Sequence, residues 1–68
     1  VKSSEDWSEG IREAHRLYVS AHHSKLAGDR CRYMINMQQA DRIRALYRGK
    51  PGYEELGKYR EEILYGRS

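Results

Sequence analysis

The stretch GDRCRYMINMQQADRIRALYRGKPG, residues 28–52, decides the fold. It opens on Gly28-Asp29 and closes on Gly49-Lys50-Pro51-Gly52, two stop-and-restart signals around a run of good helix formers. Asp29 suits a helix N-cap and Gly49 a C-terminal stop, so a helix is predicted from about Arg30 to Arg48. On a helical projection Cys31, Met34, Ile35, Ala45 and Leu46 fall on one side of it. Tyr33, Met37, Ala40, Ile43 and Tyr47 fall on the other. A helix that is apolar on two sides is usually sandwiched. This one is therefore expected at the centre of the molecule, with helix one on one side and helix three or a second copy on the other. Two polar strips remain, one of Arg30, Asp41, Arg44 and Arg48, the other of Arg32 and Gln39.

Working outward, helix one is predicted over residues 4–27. Ser3 or Ser4 would cap it, with Glu5 and Asp6 in a first turn where the helix dipole favours acids. Trp7, Ile11, Ala14, Tyr18 and Ala21 form its apolar stripe, and the stem of Lys25 can cover the end of the core. Arg12, Arg16 and His23 lie opposite. Gly10 is a weak point, costing about 1 kcal/mol relative to Ala. Helix three is predicted from Gly52 or Tyr53 to Tyr65, with Tyr53, Leu56, Tyr59, Ile63 and Leu64 inward and Glu54, Glu55, Lys58, Glu61 and Glu62 outward. Gly66 ends it. Strand signals are poor: there is no Phe, few β-branched residues and no alternating run. The expected fold is all-α, a single small three-helix domain over residues 1–68, in which a long antiparallel hairpin is joined by a shorter third helix.

With 68 residues the core is small, and Cys31 is the only cysteine, so no disulfide within the chain can help it. A lone thiol favours a reducing compartment, and no apolar run approaches the length of a membrane span. A cytoplasmic protein with no membrane association is expected. Val1 stands where an initiator methionine would be; a GUG start read literally, suiting a bacterial or phage reading frame, or a clipped end accounts for it. Residues 28–44 also resemble a helical-hairpin domain of bacterial proteins with basic tails, through Gly28, Asp29, Arg30, Gln38, Ala40 and Arg44. The resemblance covers a quarter of the chain, implies the hairpin and implies no activity.

The sequence points away from catalysis. It has no Gly-rich phosphate loop, no nucleophile elbow and no histidine pair at metal spacing within a helix. His15 and His22 stand about 10.5 Å apart along a helix axis and cannot share a metal. No cofactor is expected. Cys31 reads as a small buried hydrophobe near the start of helix two.

Charge supplies the sharper lead. Lys+Arg number 13 against 10 Asp+Glu, and residues 28–50 hold six of the bases against only two acids. Arg30, Arg44, Arg48 and Lys50, with Arg12 and Arg16 from helix one, are the candidate nucleic-acid contacts. A helix-turn-helix over residues 40–64 is disfavoured, because Glu54, Glu55, Glu61 and Glu62 would carry negative charge into the groove. Six Tyr in so short a chain also invite an interface reading. Tyr18, Tyr33, Tyr53 and Tyr59 are expected to fill a core without Phe, their hydroxyls reaching water. Tyr33, Met37, Tyr47 and Tyr65 are the candidate partner surface.

The expected function is a non-catalytic helical module that binds a protein, as a small regulator, adaptor or assembly factor. The alternative is an RNA or DNA binder using the basic strip. A monomer is preferred to a homodimer, whose seam would be Tyr33, Met37, Ala40 and Tyr47.

Overall fold

The computed structural model describes residues 7–66. It contains three helices: α1 (Glu9–Ala27), α2 (Arg30–Leu46) and α3 (Tyr53–Tyr65). The expected start of helix one at Ser4, with Glu5 and Asp6 in its first turn, lies outside the described residues. Ser8 is extended and α1 begins behind it, with Glu9 as the acid of the first turn.

The hairpin turn is made by two residues. Gly28, at φ 84°, donates to the Lys25 carbonyl at 3.1 Å, and Asp29 donates to that of Ser24 at 2.8 Å. This crossed pair is a Schellman closure, which satisfies the last carbonyls of α1. The Asp29 carboxylate then accepts from the Arg32 N–H at 3.1 Å and caps α2. One dipeptide thus ends one helix and starts the next.

Side-chain pairs fix the directions. Asn36 donates to Ser20 at 3.1 Å, Tyr18 to Asp41, and Tyr47 lies against Gly10. One number rises as the other falls, so α1 and α2 are antiparallel. α3 runs back alongside α1: Gly52 meets Ile11, Tyr59 lies between His15 and His22, and the Ile63 carbonyl accepts from Lys25. The Lys25 ammonium therefore sits where the last carbonyls of α3 favour positive charge.

α2 stops at Leu46, two residues before the expected end at Arg48. Tyr47 already bonds back to the Arg44 carbonyl at 2.9 Å, and successive turns carry the chain to Tyr53. Gly52 explains the tight return. Its φ is 95°, and a Cβ there would stand 2.7 Å from Ile11 and 2.9 Å from the Trp7 ring. Only glycine lets this turn press onto α1.

The core is Ile11, Ala14, Tyr18 and Ala21 from α1, Met37 and Ala40 from α2, and Leu56 and Ile63 from α3. Trp7, Leu17, Tyr33, Ile43, Tyr47, Tyr59 and Leu64 pack around it. Both stripes expected for the outer helices face inward, except that Tyr53, expected in the core, lies outside it against Arg44. The sandwich expected for the middle helix does not form. α1 is the element on which both other helices pack, and α2 buries one side only. Cys31, Met34, Ile35, Ala45 and Leu46 all face solvent.

Polar side chains on the edge of α2 account for this. Asp41 accepts from Arg60 at 2.9 Å and from Tyr18, and Arg44 reaches the Tyr53 carbonyl at 3.0 Å. These bonds hold α3 in the groove beside α1 and away from the outer side of α2. Tyr18 is fully buried and its hydroxyl reaches Asp41, not water as expected. Burial pushes that hydroxyl well above its ordinary value, and the bond to Asp41 and its charge add to the shift.

Candidate interaction surface

The solvent side of α2 carries Cys31, Met34, Ile35, Gln38, Arg42, Ala45 and Leu46, all exposed. Their spacing of three, four and seven residues places them in one row about 22 Å long. Met34 is 56% exposed, Ile35 53% and Leu46 80%. Single exposed apolar side chains are ordinary on a surface, but a row of them on one helix face is the usual mark of a contact site.

The charge of the row is one-sided. Arg42 lies within it, Arg30 falls on one edge, and Arg32 and Gln39 on the other. The two acids of this segment are both engaged. Asp29 caps the helix and has Arg32 at 3.9 Å, while Asp41 is held between Tyr18 and Arg60. α2 thus offers an apolar strip bordered by guanidinium groups, with no carboxylate left over.

The expected site residues are not brought together. Tyr33 and Tyr47 are half-buried, Met37 is in the core at 7% exposure, and Tyr65 is 72% exposed at the end of α3. Of the four, only Tyr65 presents most of its surface to a partner. The seam expected for a second copy, Tyr33, Met37, Ala40 and Tyr47, is the side of α2 that α1 covers.

The basic strip is likewise divided. Arg30, Arg48 and Lys50 are exposed, as are Arg12 and Arg16 on α1, which border a cleft with Glu9, Glu13 and Tyr47. Arg44 is turned inward. Its guanidinium carbon lies 3.9 Å from the centre of the Tyr53 ring, Nε donates to the Tyr53 carbonyl, and the group passes over Gly57. Arg48 hydrogen-bonds the Tyr53 hydroxyl. That bond is the main cause of a lowered Tyr53 ionisation, with desolvation opposing it and the charges of Arg44 and Arg48 assisting. Arg44 is therefore a clamp on α3, built from cation–π and hydrogen-bond contacts.

The histidines line the seam between α1 and α3. The His15 ring is 5.5 Å from Trp7 and 5.6 Å from Tyr59, and His22 is 6.3 Å from Tyr59. Among the described residues no group of three His, Cys, Asp or Glu side chains is placed to hold a metal ion, and no helix is long and apolar enough to cross a membrane. The Tyr18–Asp41–Arg60 junction, which ties all three helices, was hidden because Asp41 read as part of a solvent strip. The hairpin register set by Gly28-Asp29 would have placed Tyr18 within two residues of the level of Asp41. Comparison with protein-family models, with curated proteins and with solved structures returns no match.

Proposed function

We propose that this chain is a non-catalytic helical module that binds a partner protein on the outer face of α2. The observation that carries the reading is the single row of Met34, Ile35 and Leu46, each more than half exposed. Burying what these three expose is worth about 1–2 kcal/mol each. That supports a weak complex on its own, so the polar rim of the face contributes to any stable one. The exposed lone thiol of Cys31 fits a reducing compartment such as the cytoplasm.

A second reading retains some support. Arg30, Arg42, Arg48 and Lys50 are exposed without a neighbouring free carboxylate on α2, as a phosphate-binding strip would require. Affinity capture from the source cell separates the two. A protein partner is retained after nuclease treatment and lost from a Leu46→Asp variant that melts like the parent. Loss on nuclease treatment, with Leu46→Asp still active, would favour nucleic acid and sink the first reading.

A further inference from the structure

We infer that the occupant of the α2 face is an acidic amphipathic helix of another protein, an inference that rests on the protein-binding reading above. The face is straight, about 22 Å long and a single helix wide, the shape that another helix of about four turns fits. Its apolar centre of Met34, Ile35, Ala45 and Leu46 asks for apolar side chains at helical spacing. The guanidinium groups of Arg30 and Arg32 at its edges, and of Arg42 within it, ask for carboxylates beside those side chains.

The same charges argue against a second copy of this chain. The row is nearly its own mirror image about the level of Ala40, so an antiparallel pair of α2 helices would bring Met34 of one copy against Leu46 of the other and Ile35 against Ala45. That pairing would also set the two Arg42 side chains about 6 Å apart along the axis, on either side of the dyad. Like charges across a contact disfavour it, and α2 has no carboxylate to relieve them, because Asp29 and Asp41 are already engaged. Acids on a partner helix turn this repulsion into an attraction.

The test uses the full chain and two synthetic helical peptides of about 15 residues, each with a leucine row, one bordered by Glu and the other by Lys. The Glu-bordered peptide is expected to bind at about 50 mM salt, at least about tenfold more tightly than the Lys-bordered one, and to weaken several-fold at high salt. Leu46→Asp should abolish the binding. Arg30→Glu combined with Arg42→Glu should reverse the preference towards the Lys-bordered peptide. Equal binding of both peptides, or no binding of either, overturns the inference. So does a concentration-dependent dimer of the chain that Leu46→Asp dissolves. If the peptides fail while Leu46→Asp still abolishes nuclease-resistant capture of a cellular protein, the partner chemistry is wrong and the protein-binding reading stands. If the capture also proves insensitive to Leu46→Asp, both fall.

Discussion

The ring of Tyr47 occupies the space that a side chain at position 10 would need. A Cβ at Gly10 would lie 2.1 Å from the Tyr47 ring carbons and 2.3 Å from its hydroxyl oxygen. Glycine inside a helix normally costs about 1 kcal/mol against alanine. Here it lets the C-terminal end of α2 close onto the start of α1.

Gly10→Ala should therefore destabilise the protein, by about 1–2 kcal/mol, because the clash outweighs the gain in helix propensity. In a Tyr47→Ala background the same change should stabilise by about 1 kcal/mol. Urea unfolding of the four proteins in the cycle checks this. A stabilising effect of Gly10→Ala in the parent would show that the Tyr47 ring swings aside at little cost and does not fix this contact.

Asp41 links α1 to α3 through Tyr18 and Arg60. Asp41→Ala should cost about 1.5–3 kcal/mol, as expected for losing hydrogen bonds to a charged group with one partner fully buried. After Tyr18→Phe the further cost of Asp41→Ala should be smaller, because the buried hydroxyl is no longer stranded. Equal costs in both backgrounds would mean that the two residues are not coupled.

The Tyr18 hydroxyl gives the fold an alkaline limit. Its ionisation is raised from the ordinary 10.0, so above that pH the unfolded chain releases a proton that the folded one retains. Stability should thus fall as pH climbs past 10.0. In Tyr18→Phe that part of the fall should vanish. Melts across the alkaline range, with tyrosinate absorbance as a second signal, measure it. A Tyr18 that ionises in the intact fold near the ordinary value would contradict the buried bond.

Arg44 separates structure from charge. Reversal to Glu breaks the contact with the Tyr53 ring and carbonyl and should destabilise by about 1–2 kcal/mol. Arg42→Glu, on the exposed face, should leave stability nearly unchanged. Equal melting of both variants would put Arg44 in solvent.

Much of the architecture was legible because the signals were local. Gly28-Asp29 and Gly49-Lys50-Pro51-Gly52 mark the turns by their own chemistry, and Ile11, Ala14, Tyr18 and Ala21 have one reading as a stripe. The candidate surface was not legible, and the reason is specific to α2. Two apolar sides say that both are fit for burial but not which is buried within the chain. The choice is made by Asp41 and Arg44, which read as solvent charges until α3 is seen resting on them. The misplacement of Met37 and the expected seam follow from that one exchange of sides.

Every role proposed for α2 requires its outer side to be uncovered. Thermal melts of Met34→Asp combined with Ile35→Asp, run beside Ala40→Asp, test this most directly. The double variant is expected to melt like the parent at every protein concentration, since its new charges enter water. Ala40→Asp is expected to be unfolded, because an unpaired charge in the core costs several kcal/mol. Unfolding of the double variant would contradict the account, because it would show that this side is buried in the chain as it exists in solution.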